Sequence, residues 1–161
     1  MANVAVSKTA IPNCTHASVD EVIVQNIRYS DIVNGGTFAD NDTATLTIPV
    51  SAGDTVVAAS VKLITAFDDS GAGDELNITV GDGADADGYI ASAQLHADAT
   101  EISTVYGTGD LLDGTTSDFK HYTADDTIDI LLTPNISTGT DYNLGELTAG
   151  EVEVKVVIRK A

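Results

Sequence analysis

Strict alternation of apolar and polar residues is the feature that most narrows what this chain can become. From Thr55 to Phe67 the sequence reads TVVAASVKLITAF, and a period of two places Val57, Ala59, Val61, Leu63 and Phe67 on one face. Leu76, Ile78 and Val80 repeat the pattern, with Asn77 and Thr79 opposite. Alternation of this kind marks half-buried β-strands. Between the two runs, Asp68 to Glu75 holds glycines, a serine and acids, a composition that turns a chain. The spacing therefore predicts a long antiparallel hairpin at the centre of the fold, followed by a glycine-aspartate turn from Gly81 to Gly88.

Other strands follow from the same rule. Glu21 to Tyr29 (EVIVQNIRY) is the first, and Asp31 to Asp42 is a loop. Thr43 to Val50 alternates Leu46, Ile48 and Val50 against threonines, with Pro49 placing it at a sheet edge or a strand end, because proline donates no ladder bond. Ser51 to Asp54 is a tight connection. A short helical turn is expected around Tyr89 to Leu95 and a short strand at EISTVY, and Leu111 and Leu112 anchor a loop. Thr127 to Thr133 turns Ile128, Ile130 and Leu132 to one side before Pro134 closes the strand. Last comes Glu151 to Arg159, with Val152, Val154, Val156 and Ile158 facing in. Seven or eight strands without a convincing helix predict an all-β, antiparallel two-sheet β-sandwich of jelly-roll type. Residues 1–20 lack such periodicity. They read as an extended N-terminal arm ahead of a sandwich domain spanning 21–161, with Val4, Val6, Ile11 and Pro12 as its candidate interaction residues.

Composition agrees and sets limits. The 161 residues suit one domain. Aromatics are 5% and tryptophan is absent, so the core is aliphatic. Acids outnumber bases 25 to 7, giving a formal charge of −18, and 19 of the acids are aspartate. Aspartate favours turns over helix interiors, which assigns most of the acid to loops. Such a surface repels phosphates, so nucleic acid is excluded as a partner. No apolar run approaches a membrane span. The sole cysteine, Cys14, has no partner within the chain for a disulfide, and the N-terminus lacks the pattern of a secretory signal. The expectation is synthesis in the cytoplasm.

Candidate chemistry is sparse. Asp82, Asp85 and Asp87 supply the oxygen ligands that calcium favours. Aligned as a calcium-binding loop, Asp85, Asp87 and Gly88 fit the third, fifth and sixth positions. The first position is then Gly83 and the twelfth Gln94, neither of which serves. A turn built on glycine backbone freedom and aspartate hydrogen bonding explains the same residues, so no metal is expected. His16, His96 and His121 are far apart in sequence. No Gly-x-Ser-x-Gly elbow and no phosphate-cradling glycine loop occurs. No catalytic residue and no cofactor is assigned, and the chain reads as non-enzymatic.

The segment from about Thr43 to Leu95, with its Ala52-Gly53-Asp54, Val61-Lys62-Leu63-Ile64 and Val80 to Leu95 pieces, resembles small structural proteins of tailed bacteriophages. The valine-rich Glu151 to Ile158 strand extends the resemblance. It implies a virion component, a capsid decoration (cement) protein on the capsid exterior. Its partners would be the major capsid protein and further copies of itself, as a homotrimer. The alternatives are a tail, neck or fibre-associated virion protein, or a calcium-dependent surface- or carbohydrate-binding module.

Overall fold

The computed structural model describes residues 7–9, 20–69, 76–95, 105–106, 109, 111, 119–134 and 142–161. The strands are β1 (Ser7–Thr9), β2 (Asp20–Arg28), β3 (Ala44–Val50), β4 (Thr55–Asp69), β5 (Leu76–Asp82), β6 (Ile90–Gln94), β7 (Val105–Tyr106), β8 (Lys120–His121), β9 (Asp126–Pro134) and β10 (Leu147–Arg159). A five-residue helix, α1 (Tyr29–Val33), and a 3-10 turn at Leu144–Glu146 are the helical pieces among the described residues.

All pairings are antiparallel and fall into two sheets. The first runs β1-β2-β10-β4-β7, with β8 also on β4; the second runs β3-β9-β5-β6. β7 meets Ser60 and Val61 of β4, whereas β8 meets Thr55 and Val56. The two therefore lie along the same edge of β4. With that edge counted once and β1 set aside, strands in chain order lie 1-8-3-6 in one sheet and 2-7-4-5 in the other. This is the double Greek key of a jelly roll, as the patterning predicts.

The core lies between the sheets. Ile27, Val56, Val61, Phe67, Val152, Val154, Val156 and Ile158 from the first sheet meet Leu76, Ile78, Val80, Ile90, Ile128, Ile130 and Leu132 from the second, all at 0% exposure. β10 is the organising strand, since it pairs β2 along one side and β4 along the other. β3 is an edge strand, as Pro49 indicates. Of the predicted arm (1–20), residues 7–9 and Asp20, the first residue of β2, are described; residues 7–9 form β1. They pair in extended form with β2, Ser7 against Val24 and Thr9 against Val22. Val4, Val6, Ile11 and Pro12 lie outside the described residues.

Besides α1, which takes Tyr29 from the predicted first strand and Asp31 to Val33 from the predicted loop, three details differ from the sequence reading. β4 and β5 do not form a hairpin, because they lie in different sheets. In a jelly roll most successive strands alternate sheets, and alternation along a strand identifies its buried face but not its neighbour. Residues 70–75, within the predicted turn, lie outside the described residues. Next, the segment from Tyr89 to Leu95 holds strand β6 (Ile90–Gln94), not a helical turn. Val80 pairs Ile90 and Ile78 pairs Ala93, so three steps on β6 oppose two on β5. That irregularity buries Ile90 and Ala93 at a spacing of three and imitates a helix.

The third difference is Val57. Ala58 pairs Val157 and Val56 pairs Ile158, leaving Val57 as the extra residue of a bulge. Val56, at 0% exposure, takes the inward place expected for Val57, which is half-buried. Val56→Ala is expected to cost about 2 kcal/mol, the transfer of two methyl groups plus a residual cavity. Val57→Ala should cost under about 0.5 kcal/mol. Urea melts of the two variants check the order; equal losses would exclude the bulge.

Candidate functional site

The glycine-aspartate turn closes on itself at the end of β5. Asp82 accepts at Oδ1 from the backbone N–H of Ala84 and of Asp85, both at 3.0 Å. The Asp82 N–H donates to the Asp85 carbonyl at 2.8 Å, and the Gly88 N–H to the same carbonyl at 3.2 Å. A Cβ on Gly81 would stand 2.0 Å from that Asp85 oxygen, so only glycine fits there. Two described residues between β7 and β8 then bond to the turn. Gly109 N–H donates to the Tyr89 carbonyl and Leu111 N–H to the Gly88 carbonyl, with Leu111 packed on the core.

Below the turn, Asp82 is 2% exposed. Its Oδ2 receives Lys120 Nζ at 3.3 Å and the Tyr122 hydroxyl at 3.3 Å. The Tyr89 and Tyr122 hydroxyls are 2.5 Å apart. Because Tyr122 donates to the carboxylate, the Tyr89 hydroxyl is the donor to Tyr122 oxygen, and the protons run Tyr89 to Tyr122 to Asp82. Lys120 also lies 5.7 Å from the Tyr122 ring centroid. Burial favours the neutral acid, but the two backbone N–H groups and Lys120 outweigh it and hold Asp82 below the usual carboxylate range. Burial, with Asp82 close by, raises both tyrosines.

Lys120 belongs to β8 of the first sheet and Asp82 to β5 of the second, so this pair ties the layers together. A second tie lies near the chain end. Asp54 Oδ2 receives Lys160 Nζ at 2.7 Å and the Ser51 N–H at 3.0 Å, and Lys160 also reaches Glu21 at 3.3 Å. Burial pushes against the charged form of Asp54, yet Lys160 and the Ser51 N–H hold its carboxyl below the usual range; the same two carboxylates raise Lys160 against its own burial.

The three sequence candidates thus have different surroundings. Asp82 is buried with both oxygens engaged by four protein donors, Asp85 is half-buried within the turn, and Asp87 is exposed. Among the described residues no three His, Cys, Asp or Glu side chains converge in a way that could hold a metal ion. His121 Nδ1 lies 3.1 Å from Thr55 Oγ1, while His16, His96 and Cys14 lie outside the described residues. Lys120, Tyr122, Asp54 and Lys160 were not foreseen as partners. One signal was present: Lys120 is the only base between Lys62 and Lys155.

The pH dependence follows from these shifts. Asp82 and Asp54 are lowered in the fold, so their contribution is present above the unfolded carboxylate value of about 3.9 and is lost as pH falls through the folded values below it. Lys160, Tyr89 and Tyr122 are raised, so theirs is present below about pH 10 and is lost as pH rises through the folded values. Tm should be flat from about pH 5 to 9 and fall on both sides. Tyr89→Phe should blunt the alkaline fall; a Tyr89→Phe profile that superposes on wild type above pH 10 would show that this tyrosine does not contribute.

No protein-family model matches this chain, and no curated protein sequence does. Among solved structures, it is similar to a chain in the acidic stable capsid structure of Helicobacter pylori bacteriophage KHP30. The match covers 96% of this chain and 92% of that one, with a TM-score of 0.52 and 12% sequence identity. At that identity the likeness is one of fold. Among the described residues no helix is long and apolar enough to cross a membrane. The two ion-paired ties and the closed turn sit in a jelly roll, and that fold, over nearly the whole of both chains, is what it shares with the phage capsid chain.

Proposed function

We propose that this chain is a non-enzymatic structural protein of a bacteriophage virion, a capsid decoration (cement) protein that binds the outer capsid surface and stabilises the shell. The observation that carries the reading is the jelly roll shared over nearly the whole chain with a chain of a phage capsid. Its partners are the major capsid protein and two further copies of itself. The acidic body stays soluble before docking and is repelled by packaged nucleic acid. The arm starts from the β2 edge of the first sheet. There an extended segment can add a strand to a neighbour with little demand on sequence.

Gel densitometry of virions that carry the protein tests the placement. A decoration protein is present in hundreds of copies, in fixed ratio to the major shell protein. A few dozen copies would favour a tail, neck or fibre position, and absence from the virion would refute the reading. A chain lacking residues 2–18 should remain folded yet fail to bind shells stripped of the protein. If it saturates them, the arm is not the attachment. A rise in Tm with added calcium would instead favour the calcium-dependent surface-binding alternative.

A further inference from the structure

β1 is short, and the edge it pairs with continues beyond it. Ser7 lies opposite Val24, Lys8 opposite Ile23 and Thr9 opposite Val22. From Gln25 to Arg28 the same edge of β2 carries no strand among the described residues, whereas β10 lines the other side along all nine residues. A strand edge left bare is a template for a further strand. The direction of β1 says which one. It runs antiparallel to β2, so the chain ahead of Ser7 is led along the open part of that edge toward α1.

Carried on in register, Val6 falls opposite Gln25, Ala5 opposite Asn26, Val4 opposite Ile27 and Asn3 opposite Arg28. Residues directly opposite in an antiparallel pair share one face of the sheet. On β2 the inward places are Gln25 and Ile27, both buried, while Asn26 and Arg28 are exposed. The register therefore turns the two valines inward and Asn3 and Ala5 outward, and a slip of one residue would reverse that. Just past Arg28 the edge meets a cleft of about 180 Å³. Buried Ile32 of α1 and Leu46 of β3 line it, with half-buried Phe38 and Ala44. It takes residues from β3 and none from β9, so it opens beside the free edge of β3. Small-molecule sites run to roughly 300–1,000 Å³, so this space suits apolar side chains of a passing strand instead.

From these features we infer that residues 2–6 dock on the β2 edge of their own chain, Val4 and Val6 turned toward the core, along the way to the cleft between α1 and β3. The occupant is this chain's own segment because β1 already sits on β2 of the same chain, and Val6 directly precedes it. The edge, the direction of approach and the alternation of the two valines agree on one register. Under the decoration reading, on which this one consequence rests, an arm seated in this way must leave β2 before it can add a strand to a neighbour.

A cross-link in the full chain tests this without virions, so it can fail while the decoration reading stands. In a Cys14→Ser background, Ala5→Cys and Asn26→Cys stand directly opposite, with Cα atoms about 5 Å apart, which a disulfide spans. Mild oxidation should join them within one chain, read as the loss of two hydrogens from the monomer mass. Ala5→Cys with Thr47→Cys, exposed on the other sheet, should stay reduced. Free thiols in the first pair, or oxidation of both pairs alike, overturn the assignment, and a covalent dimer gives the edge to a neighbour's arm instead. Melting curves add a second readout. Val4→Asp with Val6→Asp should lower Tm by about 5 °C through the loss of two buried valines, whereas Ala5→Asp, at an outward place, should move it by less than about 1 °C. A double variant that melts with wild type overturns the assignment as well.

Discussion

Gly150→Ala is expected to lower stability by about 4 kcal/mol, combining a φ that non-glycine residues avoid with forced overpacking. Gly150 lies in β10 at φ +132°, and a Cβ there would stand 2.3 Å from Phe67 Cδ1. Phe67 is 0% exposed, so its ring cannot swing out to solvent without opening the core. The reason for the close approach is local. Pairing of β10 with β4 shifts repeatedly from Leu147 to Val152, and the Phe67 N–H donates to the Leu95 carbonyl at 2.7 Å, bridging the two sheets. A bare backbone at 150 lets the Phe67 ring lie across this irregular end of the strand. Urea unfolding gives the loss directly. Gly83→Ala is the control, since a Cβ at Gly83 meets nothing within 4 Å. Equal stability of the two variants would refute the argument.

Asp82→Ala is expected to cost about 3 kcal/mol. Removing one partner of a buried charge pair costs about 3–5 kcal/mol when the other stays buried. Here the lower end applies, because Lys120 keeps 30% exposure and can turn to water. The Tyr122 hydroxyl and the N–H groups of Ala84 and Asp85 also lose their acceptor. Asp82→Asn should fall between wild type and alanine, since its oxygen can still accept from the turn while its amide faces two donors. Asp87→Ala, at an exposed position, should change stability by less than about 0.5 kcal/mol. Guanidinium melts of the three variants order them. Similar losses for Asp82→Ala and Asp87→Ala would mean that the turn is not organised around Asp82.

These variants also indicate what the sequence could convey. Ile128, Ile130, Leu132 and the valines of β10 face the core as alternation requires, because a strand with one wet side leaves its pattern in the chain. Strand partners leave no such pattern: β4 pairs a strand some ninety residues away, and nothing in TVVAASVKLITAF names it. Bulges are equally silent, and one extra residue at Val57 reverses which valine is buried. For the candidate site, Gly81 to Gly88 was legible as a turn, because its glycines and aspartates act locally. Lys120 and Tyr122 reach Asp82 from about forty residues away, through a sheet arrangement that composition does not encode.

The place of β10 between β2 and β4 has a consequence for how the molecule is made. Translation delivers that strand after the other described strands, yet until it arrives the first sheet lacks its middle. A nascent chain still short of Leu147 can close the β3-β9-β5-β6 layer, but Ile23, Ile27, Val56 and Val61 on β2 and β4 then lack the valines of β10 between them. Long-range pairing of this sort delays folding and leaves apolar surface open to other chains in the meantime. The first sheet therefore stays open until β10 has emerged, however early the other layer closes.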